Sequence, residues 1–234
     1  DPTVNILGGY SNEFLNEKFS FSAQVGYHQQ ENGVSRLATT GSKFAVADFQ
    51  SINNCDPLSI SSTQRTTKRR IQAISAQVEL GYNKMAYLTL RARNDWSSTL
   101  PSDNWSYFYP SISGSVLLNE LLDITGVDFA KIRVNWAKVG NDTSPYQLQN
   151  SFNLSSASDS YLGLTILTRP STRKNPGLKP EQTSSLEFGG EFRFLNNRIY
   201  TDLSFYSIVS KDLIMDVPIP ASTGYSYERT NVGE

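Results

Sequence analysis

Residues that could perform catalysis are scarce in this sequence, which has one cysteine and one histidine among 234 residues. Cys55 lies in the polar run SINNCDPLSISS, where no second cysteine or nearby histidine completes a metal site. His28 has no adjacent serine, cysteine or acidic residue with which it could act as a general base. We interpret Cys55 as an unreactive loop thiol and His28 as a solvated residue on a sheet surface.

Carboxylates are more numerous, but their spacing is typical of a sheet surface. Glu187 and Glu191 fall on the same side of one alternating segment, where wall residues are more common than the acid pair of a glycosidase. The sequence contains no Gly-rich phosphate loop, no HExxH, no GxSxG and no cysteine cluster. These patterns predict a protein that is not an enzyme and that has no metal and no cofactor.

Charge and hydropathy exclude further classes of protein. The formal net charge is −1 and the pI is about 6.0, which gives no reason to expect nucleic acid as a partner. No apolar run approaches the roughly 18 residues of a membrane helix. A membrane β-barrel is still compatible with the sequence, because the strands of such barrels carry their lipid face in alternation.

The elements that would position these side chains are strands, because apolar residues recur at every second position. In SSLEFGGEFRFLNNRIYTDLSFYS (184–207) the alternation continues on both sides of Asn196-Asn197. The same period predicts further strands at 19–29, 73–82, 86–95, 109–118 and 129–139, and one more that begins near Tyr225.

The register of two hairpins supports this interpretation, since facing residues lie on one side of a sheet. A three-residue turn sets Leu80 opposite Leu88. A two-residue turn, Asn196-Asn197, sets Phe188 opposite Phe205. Each hairpin then has one continuous apolar face and one polar face.

The connections between strands belong to two classes that alternate along the chain. Bacterial outer-membrane barrels have short turns at one end and long loops at the other. An up-and-down meander has this asymmetry here if 141–181 adds no strand or an even number of strands. We therefore predict an all-β fold, an antiparallel transmembrane β-barrel with its apolar face in outer-membrane lipid; a soluble β-sandwich is the alternative. Short or modest turns are expected near 12–17, 83–85, 119–127 and 196–197, and long polar segments at 31–69, 96–105, 141–181 and 215–224.

Several longer phrases occur in a fixed order. They resemble the β-barrel domain of the SusC/RagA-like TonB-dependent transporters of Bacteroidetes outer membranes. The resemblance is most specific over about 70–234, and residues 1–69 fit it less distinctively. The phrases are LTLRARNDWSSTLP (88–101), YFYPSIS (107–113), KIRVNWAKVGNDTSPY (131–146), NPGLKPEQTSSLEFGGEFRFLNNRIYTDLSFY (175–206) and KDLIMDVPIPASTGYSYERTNVGE (211–234).

The resemblance implies that residues 1–234 are a segment of a barrel of about 22 strands, without its plug domain and its C-terminal strands. It also implies an energy-coupled importer of bulky nutrients, oligosaccharides or oligopeptides, in the outer membrane of a Gram-negative cell. The implied partners are a SusD-like surface lipoprotein and the TonB complex, which N-terminal regions outside this sequence would contact. A passive porin-type barrel and a soluble glycan-binding β-sandwich are the alternative functions.

Candidate site residues follow from strand parity and from the resembling phrases. Glu191 would face Asp202, which is a repulsive pair unless Arg193 or a cation of the plug lies beside it. Aromatic residues near the long loops suit anchoring at the membrane interface or stacking on sugar rings. Residues expected to face the lumen are Arg91, Arg93, Lys131, Arg133, Glu187, Glu191 and Arg193, and those expected at an extracellular rim are Asp95, Trp96, Trp105, Tyr107, Asn141 and Asp142.

Overall fold

The fold consists almost entirely of β-strands. A computed structural model describes residues 1–121, 126–154, 164 and 166–233. No helix in these described ranges is long and apolar enough to span a membrane. The strands are β1 (Thr3–Phe14), β2 (Phe19–Thr40), β3 (Ser61–Tyr82), β4 (Ala86–Ser97), β5 (Ser106–Leu117), β6 (Val127–Asn141), β7 (Asn153–Leu154), β8 (Leu167–Thr168), β9 (Thr172–Arg173), β10 (Glu181–Phe194), β11 (Ile199–Lys211), β12 (Leu213–Pro218) and β13 (Tyr227–Val232).

Eight of these strands form one antiparallel sheet in the order β1-β2-β3-β4-β5-β6-β10-β11. β6 pairs directly with β10, so the segment 142–180 adds no strand to this sheet in the part of the chain that is described. Residues 155–163 and 165 of that segment lie outside the described ranges. The predicted fold class is confirmed: the sheet is a partial barrel wall that is open between β1 and β11.

The two predicted hairpin registers are also confirmed. Leu80 faces Leu88 in the β3–β4 pair, and Phe188 faces Phe205 in the β10–β11 pair. A continuous face of alternating apolar residues, here called the apolar face, therefore runs across the sheet. The opposite surface, here called the polar face, carries the charged residues.

The apolar face is not covered by protein. Phe205 is 72% exposed and Phe188 is 51% exposed. Among the described residues, the only buried apolar side chains are those of Cys55, Ala73, Leu100, Ala130, Leu178 and Pro180. The accessible surface is 16178 Å², whereas a compact monomer of 26.1 kDa has about 10,600 Å². A soluble β-sandwich buries its apolar faces against each other, so that alternative is wrong.

One end of the sheet, the short-turn end, carries the short connections. The turn expected at Asn196-Asn197 is wider than predicted and comprises the four residues 195–198. The Arg198 N–H closes this turn by donating to the Phe194 carbonyl at 3.1 Å. Its first three residues have φ near +60°. Widening the turn by one residue on each side leaves the register of the strands unchanged. The other connections at this end are 15–18, 83–85 and 118–126, of which 122–125 lie outside the described ranges.

At the opposite, long-loop end, β2 and β3 continue far beyond their neighbours. The segment 31–69, expected to be a polar loop, instead extends both strands, which pair from Glu31–Arg70 to Thr40–Ser61. Each strand has 22 residues, whereas about 9–11 residues cross a bilayer. The residues beyond, 31–40 and 61–70, are here called the projecting hairpin. Its strands are mostly polar on both faces, so the sequence has no alternation to mark them.

A second, smaller sheet lies next to the long-loop end of β11. It contains β12, β13 and β9, so part of the expected loop 215–224 is strand. The last strand begins at Tyr227, close to the predicted position, but pairs antiparallel with β12 within the described residues. Only Glu234 of the phrase 211–234 lies outside the described ranges.

Candidate functional site

The register places all seven lumen candidates on the polar face. Arg91 lies beside Ser111 and Arg93 beside Tyr109 in the β4–β5 pair. In the β6–β10 pair the partners are Lys131 with Glu191, Asn135 with Glu187, Arg133 with Gly189 and Phe129 with Arg193. Because direct partners share a face, parity along β4, β6 and β10 is consistent across the sheet.

Arg133 is the centre of the largest charge cluster on this face. Its guanidinium donates to both Asp202 oxygens at 2.8 and 3.3 Å and to Ser204 Oγ at 2.6 Å. Its Nε lies 3.7 Å from Glu187 Oε1. A Cβ at position 189 would come within 2.9 Å of Arg133 Cγ, so Gly189 provides the space in which the arginine crosses the strand.

Two arginines relieve the expected repulsion between Glu191 and Asp202. The two residues are direct partners, but Arg193 Nη2 donates to Glu191 at 2.8 Å and Arg133 holds Asp202. The Arg193 guanidinium also lies 4.9 Å from the Phe129 ring centre and 5.7 Å from that of Tyr200. Cation–π contacts of this kind fix an arginine between two rings.

The other three positive residues among the lumen candidates differ in their partners. Arg91 Nε donates to Gln77 at 2.8 Å, and Arg93 Nε donates to Asp95 at 2.6 Å. Lys131 has no ion pair within the described ranges. The face therefore combines internally paired charges with free positive charge.

At the long-loop end, Asp142 is the acceptor of a buried polar cluster, here called the rim network. Asp142 accepts hydrogen bonds from the Arg69 guanidinium, the Ser97 hydroxyl and, at 2.8 Å, the Thr99 hydroxyl. Ser97 and Thr99 are 0% and 2% exposed. The network joins the projecting hairpin, the end of β4 and the residue that follows β6. The sequence indicated Asp142 but not Arg69, Ser97 or Thr99, because a single basic residue and two hydroxyl residues in polar segments carry no distinctive pattern.

A second set of contacts ties the segment before β10 to the same end. The fully buried Leu178 has a carbonyl that accepts from Asn104 Nδ2 at 3.3 Å. Lys179 N–H donates to Asn231 Oδ1 at 2.9 Å, and Asn231 Nδ2 donates back to the Lys179 carbonyl at 2.9 Å. The resembling phrases 175–206 and 211–234 thus meet in space, and the first of them also contacts Asn104, in the loop that follows phrase 88–101.

The other rim candidates lie on both faces of the sheet. Asp95 is buried on the polar face, whereas Trp96, the next residue, has the parity of the apolar face. Trp105 is 49% exposed. Tyr107 stacks on Tyr109 with ring centres 5.9 Å apart. Asn141 Nδ2 donates to Glu181 at 3.0 Å.

Cys55 and His28, the two residues considered for catalysis, contact ordinary polar groups of the fold. Cys55 is buried in the loop at the tip of the projecting hairpin, with Sγ 3.5 Å from the Ser51 carbonyl, and His28 Nδ1 lies 2.6 Å from Asn5 Oδ1. The described ranges contain no group of three or more His, Cys, Asp or Glu residues placed to hold a metal. In the small sheet, hydrogen bonds from Arg229 lower the pKa of Asp216 below its ordinary value.

Comparison with known proteins identifies the family. The sequence profile of the TonB dependent receptor-like β-barrel family matches residues 3–234. The chain belongs to this family. The match includes residues 3–69, which resembled the transporters less distinctively in sequence. The TonB-dependent receptors are transporters and receptors rather than enzymes, and they lie in the outer membrane, as does this chain.

Related sequences come from Bacteroidetes. The chain is 31% identical over 192 residues to TonB-dependent receptor P26 of Formosa agariphila, a match that covers 79% of this chain and 19% of that protein. It is 29% identical over 157 residues to TonB-dependent receptor SusC of Bacteroides thetaiotaomicron, covering 62% of this chain and 15% of SusC. The chain thus spans about a fifth of the length of the curated relatives it matches.

Solved structures share the fold. The RagAB peptide transporter superposes with a TM-score of 0.84 at 22% identity, covering 99% of this chain and 26% of the matched chain. The siderophore receptor PirA of Acinetobacter baumannii gives a TM-score of 0.58 at 16% identity, covering 98% of this chain and 32% of PirA. Both confirm the partial barrel architecture.

Proposed function

We propose that the protein containing this chain is an energy-coupled importer of bulky nutrients, oligosaccharides or oligopeptides, across the outer membrane. The observation that carries the proposal is the family match over residues 3–234. A relative named SusC and a solved neighbour described as a peptide importer support it. In this proposal the chain supplies barrel wall, and the TonB complex supplies energy through other regions of the protein.

The two faces of the sheet support a wall between lipid and a lumen. The exposed apolar face contacts lipid, while the polar face, with Arg133 and Arg193 at its charge clusters, lines the lumen and contacts the plug, water or passing substrate. The internally paired charges keep this wall rigid. The unpaired Lys131 is available to a group inside the lumen.

The long-loop end supports a rim on the extracellular side, with a SusD-like lipoprotein as its lid. The rim network and the contacts of Leu178 and Asn231 connect loops that are far apart in sequence. A platform of this kind holds the projecting hairpin in a fixed direction. The long loops of outer-membrane barrels face outside the cell.

Energy dependence separates import from passive diffusion, the alternative function. Cells that carry the full-length protein would be given labelled oligosaccharide or oligopeptide mixtures, with and without a functional TonB. We expect uptake to fall to background without TonB, because the plug of these receptors closes the barrel. Equal uptake in both strains would identify a passive porin. The control is an equal amount of folded protein, measured from its heat-modifiable gel band.

The orientation of the wall can be tested by labelling single cysteines in bilayers, in a Cys55→Ser background. Cysteines at Phe188 and Phe205 should react with lipid-phase reagents, and cysteines at Glu187 and Arg193 should react with aqueous reagents. If the first pair reacts with neither reagent, protein covers the apolar face and the proposed wall is wrong.

A further inference from the structure

The projecting hairpin holds two arginines directly opposite each other. Arg36 and Arg65 are partners in the β2–β3 register, and both are exposed. Side chains opposed in this way have Cβ atoms about 4.5–5.5 Å apart. Because guanidinium groups are always charged, two positive charges share one small area of the hairpin.

Neither arginine is neutralised by another of the residues that the structure describes. Within the described ranges, no ion pair or hydrogen bond involves either guanidinium. The neighbouring carboxylates have other partners: Glu31 pairs with Arg70 at 2.9 Å, and Asp142 pairs with Arg69. Since like charges directly opposite each other destabilise a strand pair, the arrangement lowers stability unless an anion binds.

The position of the pair points to a ligand on the lumen side of the sheet, at its long-loop end. Arg36 shares the strand parity of His28, and Arg65 shares that of Gln77, so both lie on the polar face. Arg69, four residues after Arg65 on the same face of β3, is held in the rim network. The two free guanidinium groups therefore face the same side as the charged wall, beyond the membrane-spanning part of the sheet.

The flanking side chains leave room for a ligand group. Val34, Thr67, Ala38 and Thr63 are the nearest neighbours on this face of the ladder, and none of them is charged or large. Each guanidinium presents a planar fork of N–H donors, which matches the oxygens of a carboxylate or a sulfate.

We propose that Arg36 and Arg65 form a clamp for an oxyanion, a carboxylate or sulfate group, on the nutrient that enters at the long-loop end. The proposal rests on the import function proposed above and makes its substrate anionic. An acidic saccharide and an acidic peptide carry the same chemistry, and the probes below distinguish them.

A different role for these residues is protection of free strand edges. β1 begins to pair with β2 only at Gln30, and β4 pairs with β3 only up to Ile71, so among the described residues no further strand pairs with either edge of the projecting hairpin over most of its length. Charged residues on such edges prevent association with other strands. Lysine would protect an edge as well as arginine, but it lacks the bidentate fork.

The test uses the full-length protein in detergent micelles and fluorescence anisotropy with labelled probes. The probes are a galacturonate oligomer, a sulfated galactose oligomer, a glutamate-rich peptide, and a neutral oligomer of each length. Arg36→Ala/Arg65→Ala should weaken binding of an acidic probe by about 100-fold or more, since charge-assisted hydrogen bonds contribute about 1.5–3 kcal/mol each. Binding of the neutral probes should not change. Arg36→Lys/Arg65→Lys should restore only part of the affinity.

Lys68→Ala is the matched control for charge. Lys68 is an exposed cation on the same strand, but its parity places it on the opposite face. Its removal should change binding less than twofold, whereas Arg65→Ala, with the same change in net charge, should weaken binding about tenfold or more.

Three results would overturn the clamp: no preference of the unmodified protein for any acidic probe over its neutral counterpart, equal binding by the double alanine variant, or equal weakening by Lys68→Ala. None of these results would affect the import proposal, which depends on the TonB requirement for uptake. The acidic probe whose affinity falls in the arginine variants shows whether the anion belongs to a saccharide or to a peptide.

Discussion

Replacing Asp142 with alanine tests whether the rim network fixes the long-loop end of the sheet. The Asp142 side chain is 3% exposed and accepts from Arg69, Ser97 and Thr99. Its removal leaves one cation and two buried hydroxyls without their acceptor. Removing one partner of a buried ion pair costs about 3–5 kcal/mol. Because the Arg69 side chain is 32% exposed and can be rehydrated, we expect the lower value, about 3 kcal/mol.

The effect should be local and is best measured by hydrogen exchange of the full-length protein. The amides of residues 97–100 close a turn through bonds such as Ser97 N–H to the Trp105 carbonyl at 3.0 Å. A loss of about 3 kcal/mol corresponds to about 150-fold faster exchange of these amides. Amides in the centre of β4 should not change, because their ladder bonds do not depend on Asp142.

Asp103→Ala is the matched control for this prediction. Asp103 is an exposed carboxylate in the same loop, and among the described residues its side chain accepts only from Ser102 Oγ, at 3.2 Å. Its replacement should alter exchange of the loop by no more than about 0.5 kcal/mol. Unchanged exchange in Asp142→Ala, or an equal effect of Asp103→Ala, would refute the argument that the network holds the rim.

Three further perturbations test other parts of the chain. The hydrogen bonds from Arg229 lower the pKa of Asp216 below its ordinary value of 3.8, so they stabilise the small sheet fully above that pH and lose this effect as the pH falls through the lowered pKa. The small sheet should therefore become more sensitive to protease as the pH falls through this range. Asp216→Asn should remove this pH dependence. Gly140→Ala would place a Cβ 2.5 Å from a carbon of the Tyr107 ring, which should cost about 1–3 kcal/mol in unfolding by denaturant, and an unaltered midpoint would contradict this packing. Deleting 95–101 in the full-length protein should reduce both barrel assembly and co-purification of the lipoprotein, and the proposed rim is wrong if both are unaffected.

The wall of the barrel could be predicted from sequence because two independent signals agree. Alternation with period two assigned the faces, and the hairpin turns fixed which residues oppose each other, as for Phe188 and Phe205. The repulsion between Glu191 and Asp202 followed from that register alone, and Arg193, which donates to Glu191, was one of the two cations expected to relieve it. The β10–β11 turn is two residues longer than predicted, but the strand register is unchanged because the turn gains one residue on each side.

The projecting hairpin and the rim network could not be predicted in the same way. Strand residues 31–40 and 61–70 are mostly polar on both faces, so alternation with period two gives no apolar signal there. Ser97 and Thr99 are buried only because Asp142, more than 40 residues later in the chain, lies against them. A contact between residues so far apart in sequence forms only when several strands have paired in register, so no local sequence pattern predicts it.

The direct pairing of β6 with β10 has a consequence for the evolution of the protein. The chain leaves the wall after Asn141 and returns to the next position in it at Glu181, with 39 residues of sequence in between. Insertions and deletions within this excursion change neither the register of the strands nor the side of the membrane on which the next segment emerges. Related genes can therefore exchange such segments, and with them the properties of the cell surface, while the membrane-embedded wall is inherited unchanged.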